Sequence, residues 1–142
     1  IFVAFFVLNG FGITLGLHRY FTHRAFETSP PFSALLAVLG SWAFQGPISR
    51  WVADHRRHHR FSDRQYDPHS PYWDDEGPIM SKARGFLHAH LLWMFVGLRS
   101  SEARYASDIK KSRIADWVSR QYWIVAASGV AAPALVGFVV GG

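Results

Sequence analysis

Apolar residues are segregated at the two ends of the chain, and the polar residues lie between them. Residues 1–17, IFVAFFVLNGFGITLGL, are a nearly unbroken apolar run, and residues 122–142, YWIVAASGVAAPALVGFVVGG, carry no charged side chain. All fifteen Lys and Arg and all ten Asp and Glu fall between Arg19 and Arg120. A bilayer core of about 30 Å is crossed by about 20 apolar helical residues. The pattern therefore predicts that residues 1–17 are the end of a transmembrane helix and that residues 121–142 form another. Trp117, Tyr122 and Trp123 stand at the charged edge of the second run, where interfacial aromatic side chains collect. Pro133 within that run is compatible with a membrane helix, because neighbouring helices satisfy the carbonyl it frees. The first run has no basic lead-in and no small-residue cleavage site, which argues against a signal peptide.

The intervening segment, residues 18–120, is predicted to be cytosolic and interfacial. PFSALLAVLGSWAFQGPIS, residues 31–49, is uncharged for nineteen positions, but Gly40, Ser41, Gln45, Gly46 and Pro47 interrupt its second half. It reads as a helix lying in or just under the membrane surface rather than an independent crossing. DPHSPYWDDEGP, residues 67–78, has the composition of a turn pair. GFLHAHLLWMFVGL, residues 85–98, is too short to span and is predicted as a surface-packed helix. Ser101 to Arg113 is charged and helical in composition.

Charge then sets orientation. Arg19 and Arg24 follow the first apolar run, and Lys110, Lys111, Arg113 and Arg120 precede the second, so both ends are expected to face the cytoplasm. The net charge of +5 fits that topology and attraction to lipid headgroups. No nucleic-acid-binding motif accompanies the basic residues, and nucleic acid is not an expected partner. The chain has no Cys, so any metal must be held by nitrogen and oxygen.

Histidine supplies the nitrogen. In HRYFTH, His18 and His23 are five positions apart, about 140° around an ideal α-helix, and would not face one ion unless the helix ends or bends between them. In ADHRRHH, His55, His58 and His59 sit at i, i+3 and i+4, within an arc of about 100° on one helical face. Three imidazoles so placed suit Zn, Fe, Cu or Mn. Either motif alone also fits core or basic surface histidines; five histidines at a membrane surface in a Cys-free chain point to an imidazole-rich metal centre.

HRYFTH followed by ADHRRHH resembles the first two histidine boxes of the membrane fatty acid desaturases, in their acyl-CoA delta-9 (stearoyl-CoA) branch. GSWAFQGPISRWVADHRRHHRFSDRQYDPHS is similar to that branch throughout, and GFLHAHLLWMF is similar to a segment that usually reads close to GFxxxHxGW. The resemblance implies an all-α fold, a polytopic helical membrane protein whose spans lie under a cytosolic helical cap. It implies two non-haem Fe ions, with His18, His23, His55, His58 and His59 among their ligands, each of the first two serving a different iron. Gln45 and Trp51 are implied near the bend of a substrate tunnel, and Asp54 either faces the acyl carrier or orients a ligand imidazole. His69 and His90 match family histidines outside the boxes and are expected to be structural or to support the ligands; His88 is expected to be a local variant. The resemblance further implies a fatty acyl-CoA or acyl-lipid substrate, O2, an electron donor protein of cytochrome or ferredoxin type, and a lipid bilayer. A third histidine box is expected outside these 142 residues, so the chain is read as a single desaturase domain incomplete at both ends.

The sequence departs from the branch at Ala53, where the acyl-CoA enzymes typically have Arg, and at Leu92, where Gly is usual. Arg19, Arg24 and Arg60 are placed to meet phosphates of lipid or carrier. Two other readings stand beside the desaturase: a related di-iron hydroxylase or alkane oxygenase, and a non-enzymatic zinc-binding membrane protein. The stretch from AFQ to DPH favours desaturation over the first, and histidines at the end of a span rather than within it disfavour the second.

Overall fold

The computed structural model describes residues 1–74, 76–79, 81–95, 97 and 99–141. Along these residues the chain forms α1 (Phe2–Phe11), a π-helical segment (Gly12–Thr22), α2 (Pro30–Ser41) and α3 (Ile48–Phe61). A short hairpin of β1 (Trp73–Asp74) and β2 (Gly77–Pro78) follows, then α4 (Lys82–His90) and a 3-10 turn (Leu92–Met94). The remainder is α5 (Glu102–Tyr105), α6 (Ser107–Lys111), α7 (Arg113–Arg120) and α8 (Tyr122–Gly141). Two compact units result, Ile1–Trp51 with Asp108–Gly142 and Val52–Ser107.

In the first unit, α1 and the π-helical segment form one continuous helix, Phe2–Thr22, which like Tyr122–Gly141 is long and apolar enough to cross a membrane. The helix continues past residue 17 through Arg19 to Thr22, and Arg24, two residues on, turns left-handed at φ 52°. Small residues set its packing against α2. A Cβ added to Gly12 would come within 2.3 Å of the Leu39 carbonyl carbon, and one on Gly16 within 2.9 Å of the Leu36 carbonyl oxygen. Position 12 thus meets 39 and position 16 meets 36, an antiparallel pair in nearly direct backbone contact, the packing that glycines four residues apart permit. Leu17, Phe21, Leu36 and Ala37 are buried along this seam.

Residues 31–49 do not form one long helix: α2 stops at Ser41, and Phe44 (φ 57°) and Gly46 (φ 97°) turn the chain into α3. Side chains from α7 and α8 hold this turn. The Gly46 amide donates to the Tyr122 hydroxyl at 3.0 Å, and the Ser49 amide, in the first turn of α3, donates to Ser119 Oγ at 3.2 Å. Trp42 Nε1 donates to Ser128 Oγ at 2.8 Å, over Gly129, whose bare Cα leaves room for the indole. Of the three aromatics at this charged edge, Tyr122 is buried, its hydroxyl accepting from the Gly46 amide, while Trp117 and Trp123 are exposed.

In the second unit the turn pair predicted at 67–78 is the β1–β2 hairpin, with Trp73 opposite Pro78. Asp74 closes it by accepting from the Glu76 and Gly77 amides, and Arg84 reaches back to Asp74 at 2.7 Å. The helix expected over 85–98 begins earlier, at Lys82, where Ser81 accepts from the Arg84 amide, and it breaks at Leu91. Val96 and Leu98 of that expectation lie outside the described residues. Ser101 to Arg113 is divided into short helices rather than one, with Ala106 out of helical geometry between α5 and α6.

Candidate metal centre

His18 and His23 illustrate how backbone winding alters a sequence expectation. An α-helix would hold them about 140° apart. The chain here winds with i→i+5 hydrogen bonds: the His23 amide donates to the His18 carbonyl at 3.1 Å. That wider turn brings residues five apart back towards one face, and the two rings meet edge to face with centroids 4.5 Å apart. The helix also ends between the two, at Thr22 with His23 as its C-cap, as the spacing required for a shared face. π-Helical winding is rare and recurs at functional sites; this eleven-residue segment begins at Gly12, where α2 approaches closely.

The second cluster belongs to α3, as predicted, and its three rings do share a face. Centroids are 4.7 Å apart for His55 and His59, 5.5 Å for His58 and His59, and 5.8 Å for His55 and His58. Their nitrogens nevertheless divide into two sets. His59 Nε2 lies 3.1 Å from His55 Nε2, the spacing of neighbouring corners around a metal that binds nitrogen at about 2.1 Å. His58 turns instead to Asp67, whose two carboxylate oxygens lie 3.0 and 2.9 Å from its Nδ1. His58, Asp67 and His69 each offer a donor atom within 4.8 Å of the other two.

Asp67 is a residue that sequence reasoning missed. It lies in the DPH turn, whose composition announced a turn, while its partner His58 is nine positions back in α3. The intervening loop is bent by left-handed backbone at Asp63 (φ 58°) and Tyr66 (φ 80°). The buried carboxylate also accepts from the Asp63 amide at 2.8 Å and the His69 amide at 3.1 Å. Burial works to raise the Asp67 carboxyl, but the hydrogen bonds from His58, Asp63 and His69 outweigh it and hold the group below its ordinary value. The same bond, opposed by burial and aided by the charges of Asp67 and Asp63, raises His58. His69 stacks on His58 at 4.1 Å and leans on Trp93 at 5.2 Å; burial, then the neighbouring His58 charge, lowers its pKa.

The remaining predicted residues fall in several places. Gln45 and Trp51 are paired, Trp51 Nε1 donating to Gln45 Oε1 at 2.9 Å, with the indole buried. Asp54 is buried and accepts from the Ser100 amide at 3.2 Å. His90 is exposed, stacks on Phe86 at 4.2 Å, and its Nδ1 bonds the Phe86 carbonyl within the helix at 2.8 Å, a local structural contact. His88 is buried with its Nε2 unpartnered among the described residues. Arg60 lies over Phe61, and Arg24 is paired with Asp108. An open cavity of about 470 Å³ around Arg24, Glu27 and Asp108 contains none of the candidate ligands.

Imidazole nitrogens backed by carboxylate, without sulfur, form a donor set that fits a non-haem transition metal. The profile of the family described as fatty acid desaturase matches residues 1–142. The chain belongs to the fatty acid desaturase family. It is 38% identical over 141 residues to a hex-5-enoyl-(acyl-carrier protein) acetylenase of Moorena producens, which covers 99% of this chain and 44% of the relative. It is 34% identical over 122 residues to acyl-CoA desaturase 1 of Tachysurus fulvidraco, covering 82% of this chain and 34% of that one. Stearoyl-CoA desaturase 5 of Homo sapiens is 38% identical over 91 residues, 64% of this chain and 24% of that protein. The chain thus spans less than half the length of these curated relatives.

Proposed function

We propose that this chain is the part of an integral-membrane fatty acyl desaturase that carries its first two histidine boxes, within a single desaturase domain. The observation that carries the reading is that each motif which resembles a box brings its imidazoles together: His18 against His23 at the end of the π-helical segment, and His55, His58 and His59 on one face of α3. His18, His23, His55, His58 and His59 are the proposed ligands of two non-haem irons, completed by residues beyond this chain. Bound iron with O2 and two electrons would supply the strong oxidant needed to remove hydrogen from an unactivated methylene.

The residues of the chain bind and orient. Carbons along an acyl chain are chemically alike, so position must be chosen by geometry. The Gln45–Trp51 pair, held by its own hydrogen bond, provides a stiff polar-aromatic corner for that purpose. Asp54 is assigned to the acyl-carrier end, three positions from Trp51 in α3. The proposed substrate is a saturated fatty acyl-CoA, acted on at the delta-9 position to give a cis double bond. Relatives named as acyl-CoA desaturases support that carrier, and the acyl-carrier-protein acetylenase supports a second reading in which the acyl group rides on a protein. In the bilayer, the two apolar helices span the membrane as part of a polytopic protein under a cytosolic cap, with the site facing the cytoplasm. A cytochrome- or ferredoxin-type donor supplies the electrons.

The test is expression of the full-length protein with mass spectrometry of products formed from acyl-CoA and acyl-carrier-protein substrates, alongside iron analysis. His58→Ala is expected to abolish desaturation and to lower bound iron. An active variant with unchanged iron content would overturn the assignment.

A further inference from the structure

His58 is engaged by a carboxylate that the ligand assignment leaves without a role. We propose that Asp67 is a positioning residue, which accepts a hydrogen bond from the Nδ1–H of His58 and thereby fixes the imidazole in the tautomer and rotation that present Nε2 to the metal. The proposal rests on the reading of His58 as an iron ligand.

The first support is acceptor chemistry. A neutral imidazole carries one N–H and one lone pair. Both Asp67 oxygens face Nδ1, at 3.0 and 2.9 Å, so the proton belongs there and the lone pair falls on Nε2. Asp67 is also committed to the Asp63 and His69 amides, which with His58 use about the four acceptor sites a carboxylate has. It is saturated as a hydrogen-bond acceptor, and its side chain is wholly shielded from solvent. That is the profile of a group that holds a ligand rather than of one that binds metal itself.

The second support is how the loop is built. Asp tolerates the left-handed conformation seen at Asp63, but for the aromatic Tyr66 at φ 80° it is unfavourable. Such conformations persist where the surroundings over-determine them. Here the unfavourable turn is the one that carries Asp67 back onto α3. His69, two residues on, completes the clamp: its ring covers one face of His58 at 4.1 Å and resists rotation of the imidazole.

The rival role is loop closure alone, through the two amides. The two are separated by a double-mutant cycle on the full-length protein: wild type, Asp67→Asn, His58→Ala and the double variant, each stripped of metal and titrated anaerobically with Fe(II), and with Co(II) as a spectroscopic probe. Carboxylates behind metal-bound histidines typically contribute 10- to 100-fold in affinity. Asp67→Asn is expected to lose about that factor when His58 is present, with a shifted Co(II) ligand-field spectrum, and to lose nothing further in the His58→Ala background. Unchanged affinity, or the same loss in both backgrounds, overturns the positioning role. Far-UV circular dichroism and melting are followed for all four proteins, and a collapse of Asp67→Asn in both backgrounds likewise overturns it in favour of loop closure. Failure of the ligand reading has a separate signature: His58→Ala alone would then bind metal as tightly as wild type.

Discussion

Gly12→Ala tests whether the seam between the Phe2–Thr22 helix and α2 positions the first histidine pair. The new Cβ would lie 2.3 Å from the Leu39 carbonyl carbon, 2.4 Å from its oxygen and 2.5 Å from the Gly40 nitrogen. All three are backbone atoms, so no side-chain rotation relieves the overlap. Ordinary contact begins at 3.4 Å, so the two backbones must separate by about 1.1 Å at this level. Overpacking of this kind typically costs about 1–3 kcal/mol, while alanine for glycine within a helix returns about 1 kcal/mol. The expected net loss is up to about 2 kcal/mol, together with displacement of the segment bearing His18 and His23. Gly10→Ala is the matched control, because a Cβ there meets nothing within 4 Å. Thermal unfolding of the full-length protein in detergent, with iron content measured on the same samples, should place Gly12→Ala below wild type and Gly10→Ala at or above it. If the two variants unfold together and hold equal iron, the close backbone seam does not organise the site.

Three further outcomes are expected. Tyr122→Phe removes the acceptor of the Gly46 amide and should destabilise the full-length protein by about 1 kcal/mol; an unchanged melting temperature would refute the role given to that hydroxyl in the turn before α3. Asp54→Ala strands the buried Ser100 amide that Asp54→Asn can still satisfy, so the alanine variant should be less stable by about 1–3 kcal/mol and the asparagine variant near wild type; equal melting would show that the bond carries no weight. In the metal-free protein, the raised His58 contributes stability below about pH 6.5 that is lost as pH rises through its folded value, and the lowered Asp67 contributes stability that is lost as pH falls through its own. His69, lowered by burial, works the other way, its contribution present above about pH 6.5 and lost on acidification. His69→Gln should therefore make the melting temperature fall more steeply between about pH 6 and pH 8, and a flatter profile would contradict the assigned directions.

Spacing alone was enough to place His55, His58 and His59 on one face, because a helix repeats every 3.6 residues whatever packs around it. Absence of charge was enough to mark the two long apolar helices, since transfer of apolar surface depends on composition rather than on neighbours. The tertiary structure decided the rest. His18 and His23 face each other because the backbone there winds with i→i+5 bonds, a choice that side-chain periodicity does not encode. Tyr122, apolar and interfacial by position, is buried because a turn 76 residues away leaves an amide for its hydroxyl. Asp67 reaches His58 only because two left-handed residues fold the loop back on α3. A helical period reads which residues share a face; which of them gains a buried carboxylate depends on loop closure, and that is settled only when the chain folds on itself.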